Sequence, residues 1–146
     1  MEEQGRVVRF SHDEWMRRLY GANPPAQRFE DHAMAVSDVI WIMACRVLSA
    51  GVDVILDMGF WTRHSREDAR MRIQEIGATH RLYVFDTPLP VARERVIHRT
   101  SQLPGDCLWI DGATFDILAG RFEPLGLDEA HLRVIGQTNG SYRVEQ

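Results

Sequence analysis

Three aspartates in this sequence fall where an apolar or β-branched run gives way to polar residues. They are Asp13 after Val7-Val8-Arg9-Phe10, Asp57 after Val54-Ile55-Leu56, and Asp86 after Leu82-Tyr83-Val84-Phe85. A carboxylate at the end of a strand can accept a proton from a substrate hydroxyl when it faces a cleft. It can also hold Mg²⁺, directly or through water. Asp13 opens a helical stretch, so it is suited to the first role and equally suited to capping that helix. Asp57 closes a buried-type strand and is the candidate for the second role, whereas Asp86 precedes Thr87-Pro88 and reads as a turn former.

Arg95 and Arg99 stand four apart, the spacing at which two guanidiniums on one helix face converge on a polyphosphate. The same pair also reads as a solvated basic face balanced by Glu94. Arg63, Arg66, Arg70 and Arg72 form a second basic stretch in which Arg66 and Arg70 share a face. The 6 histidines are scattered without zinc-ligand spacing. Ser11-His12-Asp13 is contiguous, unlike a nucleophile triad assembled from separate elements. All 17 basic residues are arginine. The lack of lysine excludes lysine Schiff-base chemistry and the lysine of a Walker A phosphate loop. Cys45 and Cys107 are far apart, with no C-x-x-C partner, and read as reduced thiols.

These residues need elements to carry them. Arg6 to Phe10 reads as a short strand, followed by a helix capped by Ser11 or Asp13 and stopped at Gly21 to Pro25. Apolar residues at Ala33, Val36, Ile40, Met43 and Val47 predict a long, largely buried helix from Phe29 to Ala50, ended by Gly51. Val52 to Met58 is a strand. Thr62 or Ser65 caps a helix reaching Ile76, closed by Gly77, and Arg81 to Asp86 is a further strand. A helix follows Pro88 and Pro90, then a loop from Thr100 to Gly112, a short helix from Thr114 to Glu123 and a last strand from Leu132 to Ile135. Strands alternating with helices predict one α/β domain over 1–146, built on a mostly parallel sheet whose chemistry gathers at the strands' carboxyl ends.

Composition narrows the function. At 146 residues, 45% hydrophobic, the chain suits one compact domain. A net charge of -4 and a pI near 5.8 leave no basic footprint for bulk nucleic-acid binding. No apolar run comes near the roughly 20 residues of a membrane span, and the acidic start Met1-Glu2-Glu3-Gln4 is unlike a signal peptide, so a cytoplasmic location is expected.

Taken in register, Arg9-Phe10-Ser11-His12-Asp13-Glu14-Trp15, Val54-Ile55-Leu56-Asp57-Met58-Gly59-Phe60-Trp61, Arg93-Glu94-Arg95-Val96-Ile97-His98-Arg99 and Phe122-Glu123-Pro124 resemble the small P-loop kinases of the AAA_33 type. These are relatives of zeta toxins, chloramphenicol phosphotransferase and polynucleotide kinase. The resemblance spans Arg6 to about Glu129. It implies a P-loop NTPase-like three-layer sandwich and ATP-dependent phosphorylation of a small-molecule or nucleic-acid hydroxyl, with ATP and Mg²⁺ as cofactors. It assigns Asp13 as general base, Arg17 or Arg18 and Arg66 to the acceptor, and Asp57 to magnesium or acceptor. Arg95 and Arg99 become nucleotide-binding arginines, with 100–112 a lid-like loop.

The resemblance is incomplete at its start. Family members open with a strand, the loop G-x-x-x-x-G-K-[ST] and a helix, and none of these lies upstream of Arg6 in this sequence. The expectation is therefore an N-terminally truncated fold, with Met1 to Gly5 as the tail of a lost helix, inactive as a kinase, or else a non-catalytic binding protein. The absent strand is the middle one in the family's order. The strands at Val54 and Leu82 must then pair directly or something else must fill the slot, since an unfilled slot leaves two open edges that invite self-association.

Overall fold

A computed structural model describes residues 6–102, 107–136 and 142–145. The expected helix tail at Met1 to Gly5 and the middle of the lid-like loop lie outside the described residues. The elements are β1 (Val7–Ser11), α1 (His12–Tyr20), α2 (Phe29–Ser49), β2 (Asp53–Asp57), α3 (Arg63–Glu75), β3 (Tyr83–Phe85), α4 (Leu89–Gln102), α5 (Gly112–Gly120), β4 (Leu132–Gly136) and β5 (Tyr142–Glu145). The α/β alternation is as expected, with β5 the additional strand.

Glycine sets two of the boundaries by the same device. Gly51 and Gly77 take φ of +76° and +69°, a region that a Cβ disfavours. Behind each, two backbone bonds close the helix. Gly51 N–H donates to Leu48 O and Val52 N–H to Val47 O at the end of α2, and Gly77 N–H to Gln74 O and Ala78 N–H to Ile73 O at the end of α3. At the start of α3 the cap is Thr62, whose hydroxyl accepts from Ser65 N–H at 3.1 Å while the Ser65 hydroxyl accepts from Thr62 N–H at 3.3 Å.

The expected single sheet is two sheets. β1 and β2 pair in parallel, from Val7 opposite Asp53 to Ser11 opposite Asp57. β3 pairs in parallel with β4, and β4 in antiparallel with β5. Among the described residues β2 and β3 each have one neighbour, so they do not pair directly, and each keeps an unpaired edge.

The chain divides into two compact units, one of residues 1–59 with Arg99–Ile110 and one of Phe60–His98 with residues 111–146. In the first, Phe10, Met16, Val36, Ile40, Ala44 and Leu108 form the buried core, with Val54, Leu56 and Ile110 packed against it. Residues alternate across the strands as the pleat requires. Phe10, Val54 and Leu56 point to the core while Val7 and Ile55 stay about half exposed on the other face. Val36, Ile40 and Ala44 are one turn apart on α2 and fully buried, yet Met34, Val39, Ile42 and Met43 on the same helix are exposed. The helix is thus two-faced. The expectation that no segment approaches membrane-spanning length needs correction, since the helical stretch Ala26–Ser49 meets that length and hydropathy. Its core-facing stripe accounts for part of that apolar content.

Within the loop expected over 100–112, the described residues are 100–102 and 107–112. α4 runs on to Gln102, and Cys107 and Leu108 are buried in the first unit. Trp109 N–H donates to Ala22 O at 2.8 Å, and the Thr100 hydroxyl both donates to Ile110 O at 2.8 Å and accepts from Ile110 N–H at 3.2 Å. In the second unit Asp111 caps α5 by accepting from Thr114 N–H at 2.8 Å, a bond that holds its carboxyl below the usual range. The helix therefore starts at Gly112, two residues before the expected Thr114.

Candidate functional site

The acids at the carboxyl ends of β1 and β2 belong to the first unit. Ser11 occupies the N-cap position of α1 with no side-chain capping bond, and Asp13 is the second residue of the helix. The Asp13 carboxylate caps nothing among the described residues. It is 44% exposed, and its charged neighbour is His12, whose Nδ1 lies 3.9 Å away. The capping alternative for Asp13 is therefore not the one the fold uses.

His12 is fixed from its other side, where Nε2–H donates to Ala33 O on α2 at 3.0 Å. Burial works to lower the imidazole pKa, but the Asp13 carboxylate and the Ala33 carbonyl outweigh it and raise the value above the ordinary 6.5. A raised folded-state pKa adds stability that is complete below 6.5 and is lost as pH rises through the folded value. The stability difference between wild type and His12→Gln, measured by urea unfolding, is expected to shrink between pH 6 and 8. A difference that is flat or grows over that window would contradict the pairing.

Asp57 is not an open carboxylate. Arg9, on the neighbouring strand, donates to Asp57 Oδ2 through both Nε, at 3.2 Å, and Nη2, with both side chains about half exposed. The diagonal placement follows from the register, in which Arg9 faces Ile55 and Asp57 faces Ser11. Sequence reasoning passed over Arg9; the signal was an arginine two residues before the strand end in a β1 that otherwise reads as apolar. Of the two acceptor candidates on α1, Arg17 donates from Nη1 to Cys107 O at 2.9 Å, holding the 107–110 segment. Arg18 is exposed and donates to Glu14 one turn back at 3.0 Å.

Arg95 and Arg99 both lie on α4. Arg95 is exposed, while Arg99 is partly buried with no hydrogen-bond partner for its Nε among the described residues. Arg66, which the resemblance places over the substrate cleft, is buried in an ion pair. Arg66 and Glu129 are each 2% exposed in their side chains, joined by Nε to Oε2 at 2.7 Å and Nη2 to Oε1 at 2.9 Å. Arg66 Nη1 also donates to Phe60 O and Trp61 O, and Glu129 accepts further from Arg70 Nη2 and Gly126 N–H. Hydrogen bonding from Arg66 is the main influence holding the Glu129 carboxyl far below its ordinary 4.5, against the opposing effect of burial. In the Phe122-Glu123-Pro124 motif, Glu123 accepts from Arg63 N–H at 2.7 Å and its own N–H donates to Trp61 O at 2.8 Å.

Among the described residues no three His, Cys, Asp or Glu side chains cluster, and Asp57 is already bound to Arg9. Mg²⁺ is ordinarily held by one or two carboxylates together with substrate phosphates, so Asp57 could supply one oxygen only after Arg9 is displaced. No lysine exists to meet an ATP phosphate.

Parallel strands joined through helices, with carboxylates at their carboxyl ends, give a mixed α/β domain of P-loop NTPase-like topology. The chain belongs to the AAA domain family AAA_33, whose model matches residues 1–125. A crystal structure from Chloroflexus aurantiacus, provisionally described as that of a kinase, is similar with a TM-score of 0.64. It is 18% identical over 93% of this chain and 76% of that one, a likeness of fold alone. No curated protein is significantly similar in sequence.

Proposed function

We propose that this chain is the acceptor-side body of an ATP-dependent phosphotransferase acting on a hydroxyl of a small molecule or nucleic acid, and that these 146 residues alone do not transfer phosphate. The observation that carries the reading is Asp13, an exposed carboxylate at the start of α1 whose charged neighbour is the His12 imidazole, 3.9 Å away. A carboxylate so placed can receive the acceptor's proton. Arg18 is the arginine on α1 open to an acceptor group, and Arg17 supports it by fixing the Cys107 segment. Asp57 stands at the next strand end, and Arg95 and Arg99 supply positive charge for a polyphosphate. We place zeta toxins, chloramphenicol phosphotransferase and polynucleotide kinase among the chain's relatives on its motifs, and a cytoplasmic setting goes with that reading.

The reservation about turnover rests on two facts, the lack of a G-x-x-x-x-G-K-[ST] loop and of any lysine in the sequence, and the Arg9 guanidinium on Asp57. Phosphoryl transfer depends chiefly on positioning and charge stabilisation, and the phosphate loop supplies most of both. The same facts favour a second reading, a non-catalytic binding protein that keeps the fold, with the open edges of β2 and β3 available for self-association.

Thermal unfolding with and without Mg²⁺-ATP tests the reservation. Ligand at 100 times its Kd stabilises by about 2.7 kcal/mol, or several degrees, so no magnesium-dependent shift at millimolar ATP is expected. A clear magnesium-dependent rise would overturn it. Reading about 40 codons upstream of Met1 for an in-frame Gly-rich loop ending in Lys-Ser or Lys-Thr separates the two readings, since a strand, loop and helix need roughly 30 or more residues. Its presence supports the kinase and its absence the binding protein.

A further inference from the structure

The outer face of α2 has a symmetry that neither reading above uses. Opposite the buried stripe of Val36, Ile40 and Ala44, the exposed residues centre on Ile42, which is 54% exposed. Asp38 lies four residues before it and Arg46 four after, both exposed, and no ion pair is recorded for either among the described residues. At 1.5 Å rise per residue the two charges sit ~6 Å to either side of Ile42 along the axis. At 100° per residue they flank it by about 40° on opposite sides. Ala35 and Ser49, one further turn out in each direction, are small and exposed, and Val39, 43% exposed, widens the apolar strip.

This pattern is self-complementary. Laid antiparallel on a second copy about a two-fold axis at Ile42, the helix brings Asp38 of each copy level with Arg46 of the other. Ile42 meets Ile42 between them, and the small residues at the ends let the two helices approach closely. We propose that the outer face of α2 is a homodimer interface of this antiparallel kind, the partner being a second copy of the same chain. One helix pair falls toward the small end of specific interfaces, so the dimer is weak and concentration-dependent. The interface does not depend on the proposed activity, nor on the open strand edges.

Charge reversal tests it without touching the core. Sedimentation velocity from micromolar to near-millimolar protein is expected to show a monomer–dimer equilibrium for wild type. Asp38→Arg and Arg46→Asp are each expected to sediment as monomers, because each sets like charges face to face. Mixing these two monomeric variants in equal amounts restores two opposite-charge pairs and is expected to yield a heterodimer, as is the double variant D38R/R46D with itself. Far-UV circular dichroism of each variant establishes that it is folded. Monomeric wild type throughout the range would overturn the proposal, as would self-association that survives both single reversals, which would place the contact elsewhere, for example on the strand edges. Co-sedimentation of α2-intact protein with phosphatidylcholine vesicles, lost in Ile42→Glu, would overturn it in favour of a membrane surface.

Discussion

Glu129→Gln is expected to lower stability by about 3 to 5 kcal/mol, the cost typical of removing one partner from a buried ion pair. The glutamine keeps the shape but leaves Arg66, 2% exposed, and Arg70 facing a neutral group across bonds that were charge-assisted. Because the Glu129 carboxyl is held below its ordinary 4.5, its contribution is complete above that value and is lost as pH falls through the depressed folded value. Urea unfolding of the two proteins should therefore differ fully at pH 7 and converge progressively below pH 4.5. The double replacement Arg66→Met with Glu129→Leu should lie closer to wild type than either single change, since desolvating the charges costs nearly as much as their attraction returns. A cost under about 1 kcal/mol for Glu129→Gln would mark the pair as exchangeable with water.

Two isoleucines on one helix give the second prediction. Ile40 is fully buried, and Ile40→Ala is expected to cost about 2 to 5 kcal/mol through lost apolar burial and an unfilled cavity. Ile42, two residues along, is half exposed, and Ile42→Ala in dilute solution should change stability by roughly 0.5 kcal/mol or less. At high protein concentration the second substitution should instead weaken self-association. Equal costs in dilute solution would mean that α2 is not oriented as described.

The contrast also shows what a sequence can disclose. The burial of Val36, Ile40 and Ala44 is written in their four-residue spacing, and the ends of α2 and α3 in Gly51 and Gly77, because both depend on neighbours within one or two turns. The strand-end positions of Asp13 and Asp57 were legible for the same reason. What those side chains touch was not. The bond from Arg9 to Asp57 crosses 48 residues and that from Arg66 to Glu129 crosses 63. A run of four arginines in ten residues gave no sign that one of them is buried. The last strand also left only a local trace, the alternating Tyr142-Arg143-Val144-Glu145. The division into two sheets had no local signature, since strand partnership is settled by long-range pairing.

The course of the chain through the 99–110 stretch limits how this protein can be divided. The second unit consists of Phe60–His98 and residues 111–146, and the stretch that joins them, Arg99–Ile110, is packed with the first. A single cut at Gly59 would remove Met16 and Ile40 from around Leu108 and strand that segment without its core. Neither half is a contiguous gene fragment. Exchanging one unit between relatives would take three crossovers, after Gly59, after His98 and after Ile110, so the units are expected to have been inherited together.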